Sequence, residues 1–204
     1  MYKGELYLEI RKYRNEDELG WVRCRVLSFL DTAYYDNVLK EKEMYRNPAI
    51  ELVAVVENKV VGLLDIECES KEGTVCTRGK GICGMIWHLA VHPDFRRMGI
   101  AKKLLLKAEE ISKEIGLNYL EAWTRDDNWV NRWYQSNGFV EQESYLQVYI
   151  DGEEMTEVIK SNIPKLYPVF TFGHYVGGDQ DEIKTKFKRT HECFCYVKRL
   201  SLNN

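Results

Sequence analysis

Met85-Ile86-Trp87-His88-Leu89-Ala90-Val91 is a short, nearly unbroken apolar run between Gly84 and His92-Pro93, and it predicts a strand buried on both faces. After it, Ala101, Leu104, Leu105, Ala108, Ile111 and Ile115 recur with the 3.6-residue period of an amphipathic helix, and Gly116 stands where a C-cap belongs. Asn118-Tyr119-Leu120-Glu121-Ala122-Trp123-Thr124 is strand-like again. Strand, helix and strand in that order make a βαβ unit with parallel strands and a right-handed crossover. The chain is thereby restricted to a sheet covered by helices.

The segments before this unit read as antiparallel. Leu6 to Tyr13 alternates apolar and polar residues, and Asn15 to Asp17 offer cap chemistry ahead of a helix with apolar Leu19, Val22, Val26, Leu27 and Leu30. Glu51 to Val56 and Val60 to Ile66 are β-rich runs joined by Glu57-Asn58-Lys59, a hairpin signal. Ser70 to Gly81 is polar and reads as a loop. Beyond the unit come a short helix over about 129–137, a strand from Tyr145 to Ile150, the turn pair Asp151-Gly152, a strand from Glu153 to Val158 and a closing strand from Glu192 to Val197. The irregular stretch 159–190 has no assignment from pattern alone.

With 204 residues, the chain exceeds the roughly 100–150 of a common domain, and the surplus falls at about 151–190, rich in aromatic residues. One domain carrying an insertion there, between the last two core strands, accounts for the length. That insertion is expected to fold onto the body and line one side of its cleft. A hydrophobic content of 45% with 30% charged residues excludes disorder and coiled coil. Lys+Arg 29 against Asp+Glu 32 leaves a net charge of −3, so no global field draws the chain to nucleic acid or an anionic membrane. No apolar span of transmembrane length and no signal-peptide pattern at Met1 to Glu5 stand in the sequence, which predicts a cytoplasmic protein. In that compartment the six cysteines are expected to be mostly reduced, without a disulfide framework.

The joint between the buried strand and the long helix carries the chemistry. Val91-His92-Pro93-Asp94-Phe95-Arg96-Arg97-Met98-Gly99-Ile100-Ala101 runs through two arginines to a glycine and a small first-turn residue. Unsatisfied N–H groups and the positive end of the helix dipole meet there, which suits a phosphate or pyrophosphate; an ordinary solvated helix start has the same signature.

This stretch resembles the GNAT superfamily of acyl-CoA-dependent N-acyltransferases. Its signature (Arg or Gln, two residues, Gly, one residue, Gly or Ala) stands as Arg96-Arg97-Met98-Gly99-Ile100-Ala101, after the strand ending Leu89-Ala90-Val91-His92-Pro93. A second family element, Tyr four residues before Gly-Phe, stands as Tyr134-Gln135-Ser136-Asn137-Gly138-Phe139. The resemblance covers about residues 6–150 and the last strand. It implies an α/β (α+β) domain whose mixed sheet is splayed between the strands near 85–91 and 118–124, with helices on its flanks. It further implies acetyl-CoA as cosubstrate, its pantetheine arm on the backbone of Leu89, Ala90 and Val91 and its pyrophosphate on the amides of Arg97 to Lys102. A small-molecule or peptide amine would attack the thioester directly, without an enzyme nucleophile, a metal or a nucleic-acid or membrane partner; a homodimer is left open.

Within that resemblance Tyr134 is the acid for the departing thiolate, although a core tyrosine on an amphipathic helix has the same pattern. The base is less defined. Many members carry a Glu where Met85 stands here, so Glu121 on the next strand and His88, with its intermediate pKa, are the candidates, beside a water relay. Asp127 or the adjacent Asn128 corresponds to an Asn that touches the cofactor arm; an N-cap is the alternative. Lacking a secure base, a non-catalytic acyl-CoA sensor is the rival function.

Two patterns mislead. Gly79-Lys80-Gly81-Ile82-Cys83-Gly84 spells G-x-G-x-x-G but opens a strand rather than a helix, the wrong context for a dinucleotide. His191, Cys193 and Cys195 share a strand face without a fourth metal ligand, which favours buried thiols.

Overall fold

The computed structural model describes residues 7–201; the expected strand start at Leu6 and the stretch Met1 to Glu5 lie outside them. Among the described residues, eight strands form one sheet: β1 (Leu8–Lys12), β2 (Ala49–Val56), β3 (Lys59–Cys68), β4 (Cys83–Val91), β5 (Tyr119–Thr124), β6 (Val140–Asp151), β7 (Phe170–Tyr175) and β8 (Arg189–Arg199). Their spatial order is β1-β2-β3-β4-β5-β8-β6-β7. Only β4 and β5 run parallel, joined by helix α2 (Ile100–Glu114) as the pattern predicts. Helix α1 (Glu18–Phe29) follows β1, α3 (Asn128–Ser136) follows β5, and α4 (Glu154–Val158) and α5 (Gln180–Lys186) flank β7.

The β2–β3 hairpin turns on Glu57 and Asn58, both left-handed at φ 48° and 62°, the twist that a tight hairpin needs. On one face, Leu104, Leu105 and Ala108 of α2 pack with Leu52, Ala54, Leu64 and Ile66, and Tyr134 of α3 joins the same cluster. On the other face, Trp21 and Cys24 of α1 pack on Val53, Val55, Leu63 and Ala90. Each fully buried side chain of this size stabilises the fold by about 1.5–3 kcal/mol.

Three expectations need correction. Leu19, Leu27 and Leu30 are exposed; α1 instead buries Trp21, Cys24, Arg25 and Ser28, an i, i+3, i+4, i+7 face that admits an arginine because its donors find partners. Glu153 to Val158 contains helix α4 rather than a strand, started by the turn at Gly152, whose carbonyl accepts the Met155 amide. Cys76 and Cys83 are joined in a disulfide, S–S 2.19 Å, while Cys24, Cys68, Cys193 and Cys195 are free and buried. The loop between β3 and β4 brings the two sulfurs together because the buried carboxylate of Glu69 gathers the amides of Val75, Cys76 and Cys83 at 2.9, 2.9 and 3.1 Å.

The surplus at 151–190 is folded, as α4, edge strand β7 and α5, with Met155, Tyr175, Ile183 and Phe187 packed on Leu146, Val148 and Ile150 of β6. Among the described residues, no helix is long and apolar enough to cross a membrane.

Candidate active site at the opening between β4 and β5

The parallel pairing of β4 with β5 ends at Ile86, opposite Ala122. From Trp87 to Val91, β4 keeps only β3, while β5 continues with β8 as far as Thr124. Asp65 lies opposite His88 and Ile66 opposite Ile86, so Trp87 is the extra residue of a β-bulge that bends β4 away from β5. The sheet is therefore splayed where the resemblance places the splay, and one edge of Leu89, Ala90 and Val91 faces the gap.

Helix α2 begins beside this gap. Gly99 is its N-cap at φ 75°, no side chain caps the helix, and a Cβ at Gly99 would meet nothing within 4 Å. Open space above a left-handed glycine, next to uncapped first-turn amides, is a cradle for an anion. Arg97 is also left-handed, at φ 62°, and Arg97, Met98 and Lys102 are exposed around the cradle. Ile100 is buried and Ala101 half-buried, so these two offer the cradle backbone rather than side chain. The Arg96 guanidinium points elsewhere. It donates to the Ser28 carbonyl at 2.8 Å and to Asp31 at 3.1 Å and lies 5.3 Å from the Trp129 ring, tying the end of α1 to the start of α3.

Tyr134 is buried on the α2 side, stacked on Tyr196 at 5.5 Å and edge-on to Phe139 at 5.1 Å. Burial raises its phenol above the ordinary value, and among the described residues its hydroxyl makes no hydrogen bond. Asp127 occupies the N-cap of α3, but its carboxylate accepts the Ala33 amide at 3.0 and 3.2 Å instead of capping; Asn128 is exposed. Burial raises the Asp127 pKa. With Arg125, which donates to the Ala33 carbonyl and lies 4.1 Å from the Tyr34 ring, Asp127 straps the α1–β2 connection across the end of β5.

On the α1 side, His88 is buried edge-on to Trp21 at 5.2 Å. Its Nδ1 faces Arg25 Nε at 3.4 Å and its Nε2 lies 2.5 Å from a Glu43 carboxylate oxygen. With Arg25 donating to Nδ1, the ring proton is assigned to Nε2, directed at Glu43. Arg25, whose pKa burial lowers, also donates to the Asn37 carbonyl at 2.8 Å. The His88 hydrogen bond holds the Glu43 carboxyl below its usual range, and Glu43 remains 47% exposed. Next in sequence, Lys42 is buried among the rings of Tyr13, Trp21 and Tyr45 at 5.1, 5.5 and 4.8 Å, paired with Asp65 at 3.1 Å and with Glu51. Asp65 is fully buried, accepts the Tyr45 hydroxyl at 3.0 Å, and is raised in pKa by that burial.

Glu121 is fully buried as well. Its oxygens accept the Arg78 amide at 2.8 Å, the Thr77 amide at 3.2 Å and the Trp123 indole at 3.0 Å, so they hold the 69–82 loop. Met85 pairs with Glu121 in register and packs with Cys76, Cys83 and Tyr119 under that loop. Glu43, the half-exposed carboxylate beside His88, is a candidate that sequence reasoning missed. Asp65, an acid inside the apolar run Val60 to Ile66, signals a buried ionic partner, and that partner is Lys42, next to Glu43 in the chain.

The two misleading patterns resolve physically. A Cβ at Gly79 would sit 2.6 Å from the Tyr119 ring, and one at Gly81 would strike Asn118, so these glycines allow the loop to lie close on β5. His191 meets Asp126 at 2.9 Å, and Cys195 is fully buried. Among the described residues, Cys76, Cys83 and Glu121 form a group with metal-ligand spacing, but the sulfurs are bonded to each other and Glu121 accepts amides.

A family model described as acetyltransferase (GNAT) family matches residues 10–139. The chain belongs to that family. An acetyltransferase of Pectobacterium atrosepticum is 30% identical over 125 residues, covering 59% of this acetyltransferase and 79% of its relative. Among solved structures, the Escherichia coli ribosomal-protein-S18-alanine N-acetyltransferase superposes with a TM-score of 0.58 at 12% identity, covering 97% of each chain. A GNAT family acetyltransferase from Elizabethkingia anophelis with acetyl-CoA bound gives 0.53 at 13% identity over 95% of this chain and 98% of that one. The PaiA N-acetyltransferase of Thermoplasma acidophilum in complex with coenzyme A gives 0.51 at 18% identity, over 67% and 92%. This acetyltransferase therefore has an acetyl-CoA-binding fold, and the uncapped α2 start and the free β4 edge suit acetyl-CoA as cosubstrate.

Proposed function

We propose that this acetyltransferase moves an acetyl group from acetyl-CoA to a primary amine by direct attack within a ternary complex. The observation that carries the proposal is the opening between β4 and β5, with a main-chain anion cradle on its α2 side and the Glu43–His88 pair on its α1 side. Pantetheine and pyrophosphate take the free edge of Leu89 to Val91 and the amides from Arg97 to Lys102. Because Arg96 is engaged with Ser28 and Asp31, it shapes the cradle rather than binding the phosphates.

The amine approaches from the α1 side, where ionised Glu43 attracts its ammonium form. The ammonium first gives one proton to the Glu43 carboxylate, which returns it to water; the lone pair so freed attacks the thioester carbonyl, the N–C bond forms as the C–S bond breaks, and the second proton, more acidic once the nitrogen is bonded to the carbonyl carbon, ends on the departing sulfur. Coenzyme A leaves as a thiolate that ends protonated. Tyr134, which burial keeps protonated, donates a hydrogen bond to that sulfur. Glu121 acts as a loop anchor rather than a base, since its lone pairs are occupied.

Free thiol release from acetyl-CoA, followed across peptide and small-molecule amines, tests this directly. Turnover is expected, with Glu43→Gln and His88→Ala each lowering kcat by roughly 10²- to 10⁴-fold. Acetyl-CoA binding without turnover on any amine would convert the protein into an acyl-CoA sensor.

A further inference from the structure

The loop between β3 and β4 carries a covalent bond that the reaction above does not use. Cys76 and Cys83 are bridged at a sequence separation of 7, with Cα atoms 6.1 Å apart, while Cys24, Cys68, Cys193 and Cys195 are free. Cys83 is the first residue of β4, and Cys76 lies within the loop. The two need no bridge to meet. Buried Glu69 accepts the Cys76 amide at 2.9 Å through one carboxylate oxygen and the Cys83 amide at 3.1 Å through the other, which holds the two backbones side by side. A thiol pair held in that way can close and reopen without displacing the strand.

The bridge abuts the α1 side of the opening. Thr77, next to Cys76, and Arg78 give their amides to Glu121, whose carboxylate also accepts the Trp123 indole at 3.0 Å. Trp123 packs against the cluster of Cys76, Cys83, Met85 and Tyr119. Register carries the α1 face from Asp65 and Glu67 through Met85 to Glu121, and alternation along β5 puts Trp123 on that face too. Because Trp123 stands beyond Ala122, where β5 has no β4 partner, its ring belongs to the β5 wall of the gap. The loop behind that ring is therefore part of what holds it. Both bridged cysteines are buried, but Ser70 to Thr74 and Thr77 are exposed, so a reductant reaches the sulfurs by a local excursion of the loop rather than by unfolding of β4.

We propose that Cys76 and Cys83 form a redox-operated lock on this loop. With the bridge closed, the loop fixes Glu121 and, through it, the Trp123 wall along which the amine approaches; with the bridge open, both are held less firmly. To close the lock, one cysteine sulfur attacks a small-molecule disulfide and releases one thiol, and the second cysteine then displaces the other thiol, so two protein thiols and one disulfide become the bridge and two small thiols. A dithiol opens it by the reverse exchange, giving two protein S–H groups and a cyclic disulfide. Glu69, Glu121 and the Arg78–Glu143 ion pair still anchor the open loop, so it loosens without unfolding and can close again. The effect on the amine rests on the amine-acceptor reading above, whereas the lock itself does not.

The test compares the protein after oxidised glutathione with the same protein after dithiothreitol. In denaturant, four cysteines should react with a thiol reagent in the first form and all six in the second. Hydrogen exchange at the Thr77 and Arg78 amides should be roughly tenfold faster or more in the dithiol form. The KM of an accepted amine should rise several-fold with it, while acetyl-CoA affinity stays unchanged, because the anion cradle lies on the α2 side. Cys76→Ser and Cys83→Ser should both match the dithiol form and respond to neither reagent. Six reactive thiols after oxidised glutathione, or equal exchange at Thr77 and Arg78 in the two forms, would overturn the lock. Faster exchange with an unchanged amine KM would overturn its action on the Trp123 wall. Turnover of no amine would overturn the amine reading and leave the lock to be decided by the thiol count and the exchange rates.

Discussion

On the α2 side of the opening, the groups that face the gap come from one continuous stretch, Trp87 to Lys102, and most are main-chain. On the α1 side the half-exposed Glu43 carboxylate and His88 rest on side chains buried behind them, Trp21, Arg25 and Asp65, and these meet only because α1 and the α1–β2 connection fold back over β3 and β4. A main-chain site tolerates most side-chain changes and fails where the backbone must adopt a special shape. The side-chain site contains buried charges whose partners cannot be removed singly. Substitutions on the two sides should therefore differ in kind, one affecting affinity and the other stability and proton transfer.

The largest effect is expected from Asp65→Ala, which leaves Lys42 buried without its carboxylate; denaturant unfolding should show a loss of about 3–5 kcal/mol. A loss under about 1 kcal/mol would mean that Glu51 alone suffices for Lys42, and that the α1 side is less dependent on paired charge than the contacts indicate. Glu121→Ala removes the acceptor of the Thr77 and Arg78 amides and should cost about 1–3 kcal/mol, with faster hydrogen exchange at those amides and acetyl-CoA affinity unchanged. Gly99→Val probes the opposite side. A left-handed conformation costs a β-branched residue about 1–2 kcal/mol and the new side chain fills the cradle, so calorimetry should record at least tenfold weaker acetyl-CoA binding.

The smallest effect is that of pH on the Glu43–His88 pair. The His88 hydrogen bond lowers the Glu43 pKa, so the pair's contribution is present above the unfolded glutamate value of about 4.3 and is lost as pH falls through the lower folded value. Unfolding curves between pH 3 and 6 should therefore flatten slightly in Glu43→Gln. Solvent around the half-exposed carboxylate keeps the difference small. An unchanged slope would remove the hydrogen bond from the account.

The unequal legibility of the two sides follows from the same contrast. Strand β4, helix α2 and Gly99 stand in sequence order, and their chemistry belongs to the backbone, so period and glycine placement reveal them. Leu19, Leu27 and Leu30 misdirected the reading of α1, because the buried face includes Arg25, an improbable core residue until Asn37 and His88 supply its partners. Glu121 looked available for proton transfer, and only the folded loop shows its oxygens engaged by Thr77, Arg78 and Trp123.

The chain's sequence by itself determined the parallel β4–α2–β5 unit, the glycine-led start of α2 and the family, since each rests on local period and on residues adjacent in the chain. Tertiary structure alone decided the Glu43–His88 pairing, the Lys42–Asp65 anchor behind it, the Cys76–Cys83 bridge and the packing of the 151–190 segment on β6. Those groups lie far apart along the chain or depend on strand register, and a pairing of that kind exists only when the sheet has brought its partners to one face.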